Sequence, residues 1–231
     1  MNLLKNLEKL EKKLGIKFKD KNLLEQAFVH RSYLNENPSL KIEHNERLEF
    51  LGDAVLELVA TRHLFNNYSN SEGELTCWRA ALVNSKMLSE VGSRLGFNDY
   101  LLLSKGEQND SGRARQFILG NTFEAVVGAI YLDQGFEKAE EFIKNNLLSE
   151  LPRVLKEKLY QDPKSYFQEK AQGYLGITPN YELIKEQGPD HNKTFEIGVY
   201  LEDDLIATGK GPSKQTAQEQ AASKALKKKG W

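Results

Sequence analysis

Apolar residues recur every three to four positions from the start of the chain to about residue 159, which is the spacing of helices packed by one face. Leu3, Leu4, Leu7, Leu10 and Leu14 make the first such stripe, and Gly15 follows in the C-terminal capping role. The pattern predicts further helices over 22–30, from the mid-40s to Asn66 or Tyr68, and over 74–84, 85–95, 117–132 and 136–148. Polar runs at 35–43 and 104–115 read as loops, and no convincing strand precedes Pro152. After about Tyr160 the character changes. A short amphipathic helix over 163–175 precedes strand-like runs at 181–185, 194–201 and 205–211, broken by Gly188-Pro189 and by Glu202-Asp203-Asp204. Ser213 is placed to cap a last helix reaching Lys228, which Gly230 ends. The fold expected is multidomain. An all-α N-terminal domain (1–151) and a linker (152–161) precede a small α+β domain (162–231) of order α-β-β-β-α.

Composition narrows the partners. Lysine and arginine number 32 against 33 acids in 231 residues, a formal net charge of −1, so nucleic acid could be bound only by a local basic patch. A lone cysteine, Cys77, excludes an internal disulfide and offers no zinc spacing; beside Trp78 it reads as a buried structural thiol. With no signal peptide and no apolar run of membrane-spanning length, a soluble cytoplasmic protein is expected, without membrane partners.

The stretch HNERLEFLGDAVLEL (44–58) changes the picture. Glu46, Glu49, Asp53 and Glu57 stack on one side of a helix, where like charges repel by about 0.2–0.5 kcal/mol per pair. Leu48, Leu51, Val55, Leu58 and Val59 fall opposite and are expected to face a core, while Phe50, Ala54, Leu56 and Ala60 flank the acids. An acidic line bordered by apolar side chains is either a solvated face or a partly buried carboxylate cluster that a cation stabilises.

A second helix, LGNTFEAVVGAIYLD (119–133), supplies matching groups. Asn121 and Glu124 share one face, and Gly128, a turn further on, is expected to keep that face open. Glu49, Asp53, Asn121 and Glu124 together offer hard oxygen donors, the ligand chemistry that magnesium prefers. Without a cation such crowded carboxylates should hold their protons towards neutral pH.

HNERLEFLGDAVLEL resembles the signature of the bacterial ribonuclease III family, and GNTFEAVVGAIYLDQG is similar to that family's second acidic motif. QAFVHRS, EGELT and the C-terminal domain follow the family order, so the resemblance covers nearly the whole chain. It implies an endoribonuclease that uses magnesium, with manganese as a substitute, to cut both strands of double-stranded RNA. Products would carry 5′-phosphate and 3′-hydroxyl ends with short 3′ overhangs. Substrates would be precursor ribosomal RNA and other structured transcripts, including messenger and transfer RNA precursors. Glu49, Asp53 and Glu124 fall on the family's metal ligands, with Asp53 and Glu124 as the catalytic pair. The fourth ligand position falls on Asn121, where the family has aspartate; an amide oxygen can still ligate but brings no charge, so weaker magnesium binding is implied. Glu46 and Glu72 match accessory acids near the subunit interface, and Glu57 is left as a solvated surface acid. Offset cuts on two strands require two sites, which a twofold homodimer supplies. The alternative function is a double-stranded RNA-binding protein whose cleavage is weakened by Asn121.

The C-terminal domain, from about Asp162 to Gly230, resembles a double-stranded RNA-binding domain. It holds ten lysines and ten acids, so only their distribution can favour RNA. Such domains read duplex shape across two minor grooves and the phosphates between them. The resemblance places Gln168 and Glu169 against ribose hydroxyls, Pro189 and His191 in the other minor groove, and Lys210, Lys214, Gln215 and Gln218 at phosphates. Lys227, Lys228 and Lys229 read as a solvated helix end.

Overall fold

A computed structural model describes residues 7–109, 112–189 and 193–231, which divide into two compact units on either side of the Tyr160–Gln161 bond. The first unit is helical: α1 (Leu7–Leu14), α2 (Lys21–Ala27), α3 (Arg31–Glu36), α4 (Glu46–Asn67), α5 (Glu72–Leu82), α6 (Ser85–Arg94), α7 (Lys105–Gln108), α8 (Arg113–Gln134), α9 (Phe136–Asn146) and α10 (Leu151–Lys156). Caps fix several starts. Asp20 accepts the Asn22 amide at α2, Asn84 accepts the Met87 amide at α6, and Ser71 and Glu74 form a reciprocal capping box at α5.

The helix expected over 22–30 ends at Ala27, and a separate helix starts at Arg31, where the His30 ring accepts the Ser32 amide as N-cap. The 104–115 loop contains α7, and α8 starts four residues earlier than its apolar pattern. Within the segment expected as a linker, α10 buries Val154 completely in the first unit's core, and Tyr160 sets its ring against Trp78 at 6.0 Å. Cys77 is exposed, not a buried thiol, because α5 turns the adjacent Trp78 inward. Among the described residues before Pro152, extended pairing is limited to a single bridge, Val29 to Leu102.

The long pair α4 and α8 forms the axis of this unit, and glycines decide how closely they cross. A methyl carbon on Gly52 would lie 1.8 Å from the Glu124 carbonyl oxygen, and one on Gly128 would lie 2.2 Å from that of Leu48. Gly128 therefore does not keep a face open; it lets one backbone touch the other. On α4 the buried arc runs through Leu48, Gly52, Val55, Leu56, Val59, Ala60 and Leu64. Leu56 and Ala60, expected only to flank the acids, are fully buried, and Leu58 is instead 55% exposed. The core thus reaches round towards the acids. On the far side Phe50, Ala54, Leu58, Thr61 and Phe65 form an exposed stripe, with Phe50 82% and Phe65 76% accessible.

The second unit is α11 (Pro163–Leu175), β1 (Asn180–Gln187), β2 (Thr194–Leu201), β3 (Asp204–Gly211) and α12 (Lys214–Lys229). The strands pair antiparallel in the order β1-β2-β3, with a bulge between Leu183 and Lys185. Both helices pack on one sheet face through Phe167, Ala171, Val199, Leu201, Ile206 and the alanines of α12. Small residues set this contact too: a methyl on Gly209 would lie 2.2 Å from the Ala217 carbonyl oxygen. Among the described residues no helix is long and apolar enough to cross a membrane.

Candidate active site

The crossing of α4 and α8 brings the two acidic motifs together. Glu124 rests its backbone on Gly52, the neighbour of Asp53, and Asn121 lies one turn away on the same face of α8. Asn121 hydrogen-bonds the Glu49 carboxylate, which ties the two helices together through their polar groups. Glu49 is half-buried and its pKa is raised, first by burial and then by Glu46 and Asp53, against the opposing effect of the Asn121 bond. Burial pushes Glu124 furthest, to about 8, with the charges of Asp53, Glu49 and Glu57 adding to it.

Glu57 is not a free surface acid. Its carboxylate pairs with Arg79 Nε at 2.9 Å, while the same guanidinium donates to Thr61 Oγ1 at 2.9 Å. The sequence concealed this, since Arg79 comes from the next helix, α5. Glu46 lies at the rim, 3.7 Å from Arg31 and 3.8 Å from His44 Nδ1. Glu72 opens α5, accepts the Thr76 hydroxyl at 3.1 Å, and lines a surface cleft with Phe65, Thr76 and Arg79.

Donor chemistry in this cluster fits a hard divalent cation. It holds three carboxylates and an amide oxygen, and the raised pKa of Glu124 measures how poorly the group tolerates its own charge. Among the described residues no three His, Cys, Asp or Glu side chains already converge on one point. The cluster is thus a set of neighbouring donors rather than a closed cage, which suits an ion that keeps several of its waters.

In the second unit Lys214 and Gln215 are exposed at the start of α12, where Ser213 accepts the Thr216 amide as N-cap. Lys210 is exposed on β3 and pairs with Glu196 at 3.3 Å. Gln215 donates to Glu219, and the Gln218 amide oxygen accepts from Lys164 Nζ at 2.8 Å. Gln168 and Glu169 are exposed on α11, as is Pro189 beyond β1, whereas His191 lies outside the described residues. Lys228 is not simply solvated: its Nζ donates to the Ile206 carbonyl at 2.9 Å.

Residues 20–151 match the family model described as ribonuclease-III-like, and residues 163–229 match the double-stranded RNA binding motif. The chain is 45% identical over 225 residues to Ribonuclease 3 of a Nitratiruptor species, covering 97% of each protein. The chain belongs to the ribonuclease III family. Ribonuclease 3 of Leptospira interrogans is 46% identical over 219 residues, covering 94% of this chain and 88% of that protein. Among solved structures, the nuclease domain of ribonuclease III from Campylobacter jejuni is similar at 42% identity and a TM-score of 0.58. It covers 64% of this chain and 99% of that one, and its description refers to a region involved in dimer formation. Ribonuclease III membership gives the two units their classes, an endoribonuclease domain and a double-stranded RNA-binding domain.

Proposed function

We propose that this ribonuclease III family member is a magnesium-dependent endoribonuclease that cuts both strands of duplex RNA. Precursor ribosomal RNA and other structured transcripts are its substrates, and the products carry 5′-phosphate and 3′-hydroxyl ends with short 3′ overhangs. The observation that carries the reading is that Glu49, Asp53, Asn121 and Glu124 are neighbours where α4 crosses α8 through Gly52 and Gly128, near enough for the charges of Glu49 and Asp53 to act on Glu124.

Glu49, Asp53, Glu124 and the Asn121 oxygen would hold magnesium, with manganese able to replace it. The ion, when bound, supplies charge to activate water and to stabilise the phosphate under attack. Asp53 and Glu124 act on the reacting atoms: with their charge balanced by the ion, their carboxylates would take the proton of the attacking water and return it to the leaving 3′ oxygen. Asn121 orients Glu49 through their hydrogen bond. Glu46 at the rim of the cluster and Glu72 at the start of α5, both exposed, act as accessory acids.

In the second unit Gln168, Glu169, Pro189 and His191 face the minor grooves, and Lys210, Lys214, Gln215 and Gln218 meet phosphates. The protein acts as a cytoplasmic homodimer. The exposed Phe50–Leu58–Phe65 stripe is apolar surface of the kind a second copy covers, and a twofold pair places two sites for offset cuts.

Incubating the purified chain with duplex RNA in magnesium, in manganese and in chelator tests this. Short products with magnesium that vanish with chelator are expected. Duplex retained without products under every metal condition would overturn the enzyme reading and leave a binding protein, as an uncharged Asn121 among the donors allows.

A further inference from the structure

Around α11 from Gln168 runs a face that none of these roles uses. Tyr166, Lys170 and Tyr174 are spaced four residues apart and line up along the helix. The Lys170 ammonium lies 5.1 Å from the Tyr166 ring centre and 5.4 Å from that of Tyr174. Beside Tyr174 stands Trp231, its ring 5.7 Å away and tilted by 42°, with Lys229 Nζ 6.0 Å from the indole. Trp231 is anchored on the core by Phe167 at 5.5 Å, whereas Tyr174 is 66% exposed and supports little packing of its own. The face is a ladder of rings and ammonium groups, and Glu169 is the acid whose charge reaches Lys170.

We propose that this face binds unpaired RNA nucleotides, stacking a base against Tyr174 and Trp231 while Lys170 and Lys229 contact the flanking phosphates. Exposed rings interleaved with cations are what single strands require, since every base has a stacking face and every nucleotide a negative charge. An ammonium over an exposed ring is a weaker contact than a stacked base, so a base can displace it. Lysine's flexible stem lets the displaced ammonium swing onto a phosphate without leaving the site. The substrate class follows: duplexes carrying a single-stranded extension, the duplex on one side of α11 and the extension on the other. That extension rests on the duplex-binding reading of this domain; the stacking face does not.

The test uses the whole chain in chelator, so that nothing is cut. Labelled probes are a blunt duplex of about 16 base pairs, the same duplex with a short oligoadenosine tail, and the free oligoadenosine. The tail is expected to tighten binding about tenfold, Tyr174→Ala to remove that gain, and Tyr174→Trp to keep it, with blunt-duplex affinity unchanged throughout. Equal binding of tailed and blunt duplex overturns the proposal, as does an equal loss of both in Tyr174→Ala. A change from dimer to monomer in Tyr174→Ala would assign the face to a second copy and also overturn it. Oligoadenosine binding that depends on Tyr174, with no binding of blunt duplex, would sustain the stacking face and refute the duplex reading instead.

Discussion

Glu124→Gln in the metal-free protein isolates the electrostatic claim at the centre of the site. Folding moves the Glu124 pKa from 4.5 to about 8, so between those values the folded chain holds a proton that the unfolded chain has lost. A raised carboxylate pKa means stability falls as pH rises, with the loss running from the unfolded value up to the folded one. Between pH 5.5 and 7.5 a fully buried group would lose about 1.36 kcal/mol per pH unit. Glu124 keeps some solvent contact, so about 1–2 kcal/mol across that interval is expected. Glutamine does not titrate, groups distant from position 124 are common to both proteins and cancel, and the difference that remains belongs to Glu124 and the neighbours its charge touches. Scanning calorimetry of the first unit's transition should therefore show the variant gaining on the parent as pH rises, by roughly 2–4 °C for each kcal/mol. Added magnesium should stabilise the parent more at pH 7.5 than at 5.5 and leave the variant's transition unmoved. A melting difference that is the same at both pH values would mean Glu124 ionises normally in the fold. Neither burial nor its neighbours' charge would then act on Glu124 in the folded chain.

Asn121→Asp replaces the donor to Glu49 with a like charge, so the metal-free protein should lose stability. The same change should lower the magnesium needed for half-maximal cleavage about tenfold, measured by titration in a cleavage assay. Gly52→Ala forces a methyl into the Glu124 carbonyl and should cost about 3 kcal/mol along with cleavage. Gly73→Ala, whose methyl would meet nothing within 4 Å, should leave the melting temperature level or raise it, and is the control. Lys214→Ala should weaken duplex RNA binding and reduce the salt-dependence slope by about 1 in fluorescence anisotropy. Lys210→Ala should do less, because its ammonium is already paired with Glu196.

Much of this protein was legible before any coordinates. Stripes at helical spacing marked the long elements, because a helix can bury only the residues that fall on one side of it. The change to short strand-like runs after Tyr160 marked the second unit, where β2 runs from Thr194 to Leu201 as its residues predict. The two acidic motifs announced themselves because unneutralised repulsion in an apolar setting asks for a counter-charge.

Other features depended on partners distant in sequence. Arg79 neutralises Glu57 from another helix, which no spacing within α4 could reveal. Cys77 and Trp78 are neighbours in the chain, yet α5 sends one to solvent and the other to the core. Leu56 and Leu58 exchanged their expected places because the α4–α8 crossing set which arc of α4 is covered. Which residues carry charge, and which turns of helix present them, can be read along the chain. The touching backbones of Gly52 and Gly128 belong to the tertiary structure alone, because the two residues are distant in sequence, and their contact brings Glu124 within reach of the Asp53 charge, which adds to the effect of burial on its pKa.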